Sequence, residues 1–432
     1  MRIALSDSRR RILFFCAVFL IGAAELYASG RLSLAAAWSA SSNPLRWEAA
    51  ARLEPQNAAY WERLGLHRQW DLQNRDLEAA TDDLNRAVRI DPLSAEYQLN
   101  LASIEESRRD LANARKAFEA ARNDYPVSAE VAWRYGSFLL RQGDPVAGFS
   151  EIRHAVTNDP DLETTALSEC SESNPDAKAI INQVLPETTR AYLTSIDYFV
   201  SQGQTGAALV SWSRLLGLGQ SFPMSRSLPL VDKLIGEDRV EDAKRIWSQA
   251  LLATGWARAP APSGSLIFDG GFEGPLLEGG FDWRNLQDED YTLTFDSKIV
   301  HSGKRALRIE FSDQSNLNFE HLFQIVAVHP GQRYRFSAFL RTENITSDSG
   351  IRFQIVDPHH PEELQVLTPS VTGNNSWIQT ETTLQIPPTT DLLEVILRRL
   401  PSAKLDNKLG GTVWLDDVSL TLISTESQRE LK

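Results

Sequence analysis

The spacing of apolar residues divides the chain into three zones. Residues 12–24 form an uncharged apolar run, residues 45–255 repeat apolar positions every three or four residues, and residues 265–424 alternate apolar and polar positions. A period of 3.6 residues is typical of helices and a period of two is typical of strands. The pattern therefore predicts a short apolar segment, a long helical region and a region of strands.

The first apolar run follows a basic flank that ends at Arg11. Positive charge beside an apolar segment stays on the cytoplasmic side of a membrane, and about 20 residues span the bilayer. We expect a cytoplasmic stub at 1–11 and an uncleaved transmembrane anchor at 12–30, with Glu25 near the far interface. The bulk of the chain is then extracytoplasmic, at a bacterial inner membrane. A cleaved signal peptide and a buried helix are the alternatives.

An internal repeat follows. Successive residues among Pro92, Pro126 and Pro160 are 34 residues apart, and 34 residues is the tetratricopeptide period. Small residues recur in register, as at Ala102 and Gly136, where two antiparallel helices would touch. An earlier copy after Pro55 carries three extra residues. Residues 45–162 therefore resemble tetratricopeptide repeats, with an unrelated helical bundle as the alternative.

Beyond the third proline the register decays, although helical periodicity continues to residue 252. The apolar residues around Trp212 and around Trp247 have the same spacing as those in the second helix of the clear repeats. We interpret 163–255 as degenerate repeats that continue the solenoid. The concave surface of such a solenoid binds peptides or other proteins, which implies one or more protein partners.

A Pro/Ala-rich linker at 256–264 separates the helical region from the strands. Runs such as 334–341 and 378–384 then alternate apolar and polar residues, and turn clusters separate them. Many short strands without helices between them predict a sandwich or jelly roll over 265–424. Residues 425–432 form a polar tail.

Motifs at both ends of the strand region resemble a known family. Gly271-Phe272-Glu273 opens the region, His301-Ser302-Gly303 follows, and Trp414-Leu415-Asp416-Asp417-Val418 closes it. This order is similar to galactose-binding-like jelly rolls, specifically to carbohydrate-binding modules of the family 4/9 type. The expected fold class is therefore multidomain, with an all-α tetratricopeptide-like solenoid, an all-β jelly-roll sandwich and an N-terminal transmembrane helix.

The same resemblance implies a structural Ca²⁺ shared by the opening glutamate and a closing aspartate. Its ligands would be Glu273 and Asp416, with Asp296 as an addition. Calcium takes six to eight oxygen ligands, so backbone carbonyls and water would complete the site. The alternative is that these carboxylates are solvated charges on end strands.

Alternation also predicts a ligand-binding face. Arginines at alternate positions of neighbouring strands would point outward together, and their planar donor fork suits carboxylates, sulfates or sugar hydroxyls. Aromatic residues in a long loop would add a platform for a sugar ring. The predicted ligand-binding residues are Trp283, Tyr291, Arg335, Arg341, Arg352, Gln354 and Arg398. The alternative is a solvated sheet face with cross-strand ion pairs.

Composition narrows the function. A formal net charge of -13 argues against nucleic acid as a partner. Only Cys16 and Cys170 are present, so no disulfide framework supports the folded domains. No nucleophile elbow, zinc-protease motif or phosphate-binding loop occurs, so we expect no enzyme activity.

We therefore expect a membrane-tethered extracytoplasmic scaffold that links protein partners to a polysaccharide in exopolysaccharide or cell-envelope assembly. This expectation comes from analogy at the level of the fold. One alternative is a protein–protein assembly factor with a structural sandwich. The other is an unrecognised glycoside hydrolase.

Overall fold

The structure is a computed structural model that describes residues 8–256, 264–405 and 407–423. Within these residues, fourteen α-helices precede ten β-strands. The prediction of a helical region followed by an all-β region is confirmed. The chain divides into two compact units, residues 1–186 and 187–432, and each is described by itself.

Three predicted segments fall wholly or mostly outside the described residues. They are the basic stub at 1–11, of which the first seven residues are undescribed, the linker at 256–264 and the polar tail at 425–432.

The predicted anchor at 12–30 lies within one helix, α1 (Ser8–Ser39). This helix is long and apolar enough to cross a membrane, a test that a signal sequence near the N-terminus also passes. It continues beyond residue 30, and Ala35 is buried where α1 packs against α2 (Pro44–Leu53). The apolar segment is therefore continuous with the folded helical region.

Eight further helices complete the first unit, and consecutive helices pack in pairs. They are α3 (Ala58–Trp70), α4 (Leu77–Ile90), α5 (Ala95–Ser107), α6 (Leu111–Asp124), α7 (Ala129–Arg141), α8 (Pro145–Asn158), α9 (Glu163–Ser173) and α10 (Ala177–Gln183). Helix starts follow from polar caps, because serine and aspartate side chains accept otherwise unpaired N–H groups of the first turn. The capping residues are Asp76, Ser94, Asp110, Ser128 and Asp144.

The small residues of the repeat lie where paired helices approach most closely. A Cβ atom added to Gly136 would lie 2.9 Å from Ile152 side-chain atoms, and one on Gly65 would lie 2.8 Å from Cγ of Leu84. Ala102 at the matching position is fully buried. The repeat thus sets the distance between helices, and the predicted repeats are confirmed as three consecutive helix pairs, of which the first carries the three extra residues.

The second unit begins with two more helix pairs: α11 (Thr189–Ser201) with α12 (Thr205–Gly217), and α13 (Leu228–Gly236) with α14 (Val240–Thr254). Trp212 and Trp247 are buried, as expected for residues that pack between helices. The division between the units falls before α11, so these four helices group with the sandwich rather than with the first ten helices.

Ten antiparallel strands form the sandwich. They are β1 (Trp283–Asn285), β2 (Tyr291–Asp296), β3 (Ala306–Ser312), β4 (Phe319–Ala327), β5 (Arg333–Ile345), β6 (Arg352–Val356), β7 (Gln365–Leu367), β8 (Gly373–Gln385), β9 (Leu392–Arg399) and β10 (Gly410–Leu422). Sheet 1 has the order β2-β3-β10-β5-β8, and sheet 2 has the order β1-β4-β9-β6-β7.

The core of the sandwich lies between the two sheets. Phe336 of sheet 1 and Phe353 of sheet 2 are fully buried, and their ring centroids are 4.9 Å apart. Residues at alternate positions on each strand point into this core, and the intervening residues point away from it. Each sheet therefore presents one outer face, and the two outer faces look in opposite directions.

Candidate ligand-binding surfaces

The predicted arginine cluster is divided between the two outer faces. Arg335 and Arg341 lie on β5 of sheet 1, whereas Arg352 and Arg398 lie on β6 and β9 of sheet 2. The prediction of one combined cluster was therefore wrong. Alternation tells which side of its own strand a residue occupies, but it does not tell which sheet the strand joins.

On sheet 2, Arg352 and Arg398 are directly opposite each other on paired strands. Arg398 is 9% exposed, and its guanidinium donates to Oε1 of Gln354 at 3.1 Å and to the Phe319 carbonyl at 3.0 Å. The same guanidinium lies 3.0 Å from Oε2 of Glu320. Three of the predicted ligand-binding residues, Arg352, Gln354 and Arg398, therefore share one surface.

Arg352 lacks such partners. Its Nε is buried and makes no hydrogen bond with any described residue. Like charges opposite each other on paired strands repel, so two arginines here require negative charge nearby. Glu320 supplies one carboxylate, and a second anion that reaches the guanidinium of Arg352 would balance the pair.

A further charged group on the same outer face is Glu394 of β9. Burial raises the pKa of this carboxyl, Arg284 opposes the rise and Glu320 adds to it. Ile325 and Ile396 lie nearby on paired strands and are almost fully buried. The outer face of sheet 2 is thus partly shielded from water at the end that holds Glu394.

Helices of the second unit contact the sandwich at the β1 edge of sheet 2. Oδ1 of Asp232 in α13 accepts hydrogen bonds from Nη2 of Arg284 and from the Gly280 backbone N–H, both at 2.7 Å. Trp247 of α14 packs edge-on against Phe268 with a centroid distance of 5.2 Å. Towards the opposite edge of sheet 2, Nδ1 of His359 in the β6–β7 connection lies 3.4 Å from Oδ1 of Asp238. These contacts border the outer face of sheet 2 with helices at the end that holds Glu394.

The predicted aromatic platform was wrong. Trp283 is fully buried against Phe272, with a centroid distance of 5.2 Å, and Tyr291 is 7% exposed. The Tyr291 hydroxyl donates to Oδ1 of Asn285 at 2.7 Å, and burial raises its pKa to about 12. Both residues belong to strands β1 and β2 rather than to a loop, so their side chains enter the core.

A different aromatic group lies on the outer face of sheet 1, and the sequence prediction missed it as a site. The His301 ring stacks on Phe339 with a centroid distance of 3.6 Å, and it meets Trp377 edge-on at 5.6 Å. The outward position of Phe339 follows from alternation along β5. Its pairing with His301 depends on the loop between β2 and β3, which periodicity does not describe.

On sheet 1, Arg341 is engaged locally rather than with the other predicted residues. Its Nη2 lies 2.7 Å from Oε1 of Glu343, and its guanidinium lies 5.5 Å from the centroid of the Trp414 ring. Arg335 is exposed on the same strand. Sheet 1 therefore resembles a solvated face with local ion pairs, the alternative considered for the whole arginine cluster.

The opening and closing motifs meet around Gly271. A Cβ atom added there would lie 3.8 Å from Oδ1 of Asp416 and 3.9 Å from both Oδ1 of Asp417 and Cγ of Glu273. Asp416 is fully buried, and burial raises its pKa to about 6, with the charge of Asp417 adding to the rise. The carboxylates of Asp416 and Asp417 therefore lie beside Gly271, and the Glu273 side chain starts from the same place; we call this region the cradle.

Backbone donors occupy part of this cradle. Asp416 accepts hydrogen bonds from the N–H groups of His301, Ser302 and Asp417 at 2.8, 3.1 and 2.8 Å. Oε1 of Glu273 accepts one from the Lys304 N–H at 2.7 Å. A carboxylate has roughly four lone-pair positions, so Asp416 keeps about one for a cation.

Asp296 does not join this cradle, and its prediction as a third metal ligand was wrong. Its Oδ2 accepts from Nε1 of Trp414 at 3.0 Å, and its Oδ1 accepts from the backbone N–H groups of Lys298 and Ile299. Over the described ranges, no three Asp, Glu, His or Cys side chains are grouped closely enough to hold a metal ion. A cation here would need backbone carbonyls and water besides Glu273 and Asp416.

The repeats of the first unit carry a polar ladder across their first helices. Nδ2 of Asn100 in α5 donates to Oε1 of Glu62 in α3 at 2.9 Å, and Nη2 of Arg134 in α7 donates to the Leu99 carbonyl at 3.1 Å. Burial and the charge of Glu96 raise the pKa of Glu62. Solenoids present such rows of first-helix side chains to their partners.

Comparison with known proteins finds neither a matching family model nor a matching curated protein. Among solved structures, a CBM4 structure is 16% identical, with 36% of this chain and 99% of that chain covered and a TM-score of 0.27. A family 16 carbohydrate-binding module is 15% identical, with 36% and 99% covered and a TM-score of 0.26. PilW, a type IV pilus biogenesis factor, is 19% identical, with 46% and 95% covered and a TM-score of 0.26. Similarities at this level concern the fold and carry no information about function.

Proposed function

We propose that the protein is a membrane-tethered, extracytoplasmic scaffold that joins a protein partner to an acidic polysaccharide during exopolysaccharide or cell-envelope assembly. The observation that carries this proposal is the pair Arg352 and Arg398, of which only Arg398 bonds a carboxylate, Glu320, among the described residues. A uronate or sulfate group would supply negative charge to Arg352. The planar fork of Arg352 suits such groups because it donates two parallel hydrogen bonds.

The repeats would hold the protein partner. Glu62, Asn100 and Arg134 form their ladder on three successive first helices, which suits an extended peptide segment that contacts several repeats at once. The hydrophobic helix α1 would keep both binding surfaces at the membrane. Binding rather than catalysis is the proposed role, because the two surfaces offer arginines, amides and aromatic rings without a positioned nucleophile.

The cradle around Gly271 would hold a structural Ca²⁺. Glu273 and Asp416 would be its protein carboxylate ligands, and the ion would neutralise the buried charge of Asp416. Its role would be to join the opening and closing segments of the sandwich.

A second candidate function is protein–protein assembly with a structural sandwich. The contacts of Asp232 and Trp247 with the sandwich favour it, because helices already border the outer face of sheet 2. On this view the sandwich stabilises α13 and α14 for a partner protein and binds no sugar.

Glycan binding by the full-length protein in detergent micelles separates these candidates. We expect polygalacturonate to bind more tightly than neutral dextran, with an affinity that falls as salt rises. Arg352→Gln should weaken polygalacturonate binding about tenfold, since a hydrogen bond to a charged group contributes about 1.5 kcal/mol or more.

Arg335→Gln is the matched control, because it removes the same charge from the outer face of sheet 1 and should leave the affinity unchanged. Equal losses in both variants would indicate nonspecific attraction. If neither glycan binds at low salt, the polysaccharide assignment is wrong and the assembly function is favoured.

A further inference from the structure

The first repeat contains a surface pocket that lies apart from the polar ladder. Its lining residues are Pro55, Gln56, Trp61, Arg86, Arg89 and Ile90. Nε1 of Trp61 donates to the Pro55 carbonyl at 3.0 Å, which fixes the indole against the turn between α2 and α3. The guanidinium of Arg86 lies 4.6 Å from the centroid of the Trp61 ring. The pocket therefore has an aromatic wall with a cation stacked over it.

The two arginines of this pocket lie beside one another, and the charge of Arg86 is only partly offset, by the carboxyl of Asp83. Arg86 and Arg89 are exposed and lie three residues apart on the last turns of α4, so they project side by side. Neither forms an ion pair with any described residue, whereas Arg68 of α3 is paired with Asp83. The negative end of the α4 dipole stabilises the positive charge of Arg89 in the last turn of that helix. The dipole does not explain why Arg86 lies over the indole of Trp61.

The direction of α1 places this pocket relative to the apolar segment. The turn at residues 40–43 joins α1 to α2, and the two helices pack together, so α2 runs back along α1. Ten residues of α2 span about 15 Å, so its end and Pro55 return roughly to the level of Arg31. The pocket that begins at Pro55 lies at the same level.

Arg31 marks the outer border of the apolar part of α1. Arg11 and Arg31 are separated by about 30 Å of helix, which matches the thickness of the hydrocarbon core. If α1 spans the membrane, Arg31 lies at the outer interface and the pocket lies among the headgroups. The inference that the pocket lies among the headgroups rests on the membrane anchor of the proposed function.

Exposed apolar residues alone would not single out this edge of the repeats. Leu93 and Val127 are exposed in the turns between repeats, but Leu72 and Val146 are exposed at the opposite edge. The arginine pair and the direction of α1 distinguish the two edges.

We propose that the pocket binds the phosphate group of an anionic phospholipid headgroup in the outer leaflet. Arg86 and Arg89 would donate to the phosphate oxygens, and Trp61 would lie at the interface, where aromatic rings are favoured. The bound lipid holds the first repeat down on the membrane and so orients the repeats of the first unit. Free phosphate offers the same chemistry, but the level of the pocket along α1 selects the lipid.

The test uses the full-length protein in nanodiscs of phosphatidylcholine alone or with one third phosphatidylglycerol. Amide hydrogen exchange is followed in residues 54–61 and 86–93. With phosphatidylglycerol, we expect docking to increase and these amides to exchange about 30-fold more slowly, since each arginine near an anionic surface contributes about a factor of five. Arg86→Gln with Arg89→Gln should abolish the difference between the two lipids.

Arg109→Gln with Lys116→Gln is the matched control, because it removes two exposed charges away from the pocket and should preserve the lipid effect. Equal melting temperatures of the variants exclude unfolding as the cause of any loss. Equal protection in both lipids overturns the proposal. Protection by inorganic phosphate in phosphatidylcholine nanodiscs, equal to that by phosphatidylglycerol, overturns the lipid assignment.

Flotation with phosphatidylcholine vesicles tests the anchor separately. A protein that does not float contradicts the membrane anchor of the proposed function, whereas a protein that floats without the lipid-dependent protection contradicts only the headgroup site.

Discussion

Asp416 makes the stability of the second unit depend on pH in a direction opposite to that of most carboxylates. Its side chain is fully buried, and its pKa is raised from 3.8 to about 6. A carboxyl with a raised pKa binds its proton more tightly in the folded state than in the unfolded state. Its contribution to stability is therefore fully present below about pH 4 and is lost as pH rises through about 6.

The difference between pKa values of 3.8 and about 6 corresponds to on the order of 3 kcal/mol. Without a cation, the ionised carboxylate near Asp417 should lower the free energy of unfolding by about that amount at pH 7. A bound Ca²⁺ would neutralise the charge of the carboxylate and restore the lost stability. Asp416→Asn removes the titration, so its stability relative to the native protein should reveal the pH dependence of this one group.

The assay is urea unfolding of the native protein and Asp416→Asn between pH 4.5 and 7.5, in chelator and in millimolar calcium. In chelator, the native protein should lose stability relative to the variant as pH rises. In calcium, this loss should disappear. Glu381→Gln, at an exposed position of sheet 1, controls for general charge effects.

A constant difference between the native protein and Asp416→Asn over this range in chelator would refute the reasoning about the buried carboxyl. A pH-dependent difference that calcium leaves unchanged would retain the buried carboxyl and refute the proposed ion.

Two further predictions concern packing. Trp283→Ala should lower the free energy of unfolding by about 3–5 kcal/mol in urea titrations, because it empties a fully buried site; an unchanged stability with weaker sugar binding would instead support the aromatic platform. Gly136→Ala should destabilise the first unit by about 1–3 kcal/mol, because its Cβ would meet Ile152 at 2.9 Å. Gly206→Ala in α12 has open space and should stabilise by about 0.5–1 kcal/mol, so thermal melts that move in the same direction for both glycine variants would contradict the packing argument.

The sequence by itself determined the order and type of the elements. Glycine at 136 and alanine at 102 recur because helix pairs touch there, and this spacing is a local property that a repeat makes visible. Alternation on β5 likewise placed Tyr334 and Phe336 in the core. Residue type and period are sufficient here, because each helix or strand must bury one side of itself.

The family resemblance predicted one part of the candidate sites that the periodicity of apolar residues could not predict. The opening and closing motifs predicted that Glu273 and Asp416 approach each other, and the Asp416 carboxylate does lie beside Gly271 of the opening motif. The same resemblance added Asp296 to the site, but its carboxylate accepts a hydrogen bond from the indole of Trp414 instead. A motif does not show where a neighbouring side chain finds its hydrogen-bond donors.

Only the tertiary structure decided which strands share a sheet. Strand pairing is a long-range choice, so it separated Arg335 from Arg352 and brought Arg352 opposite Arg398. It also turned Trp283 and Tyr291 inward by making short strands of a segment that reads as a loop. The sequence encodes these contacts jointly across more than 100 residues, and no local pattern of apolar and polar positions records such a pairing.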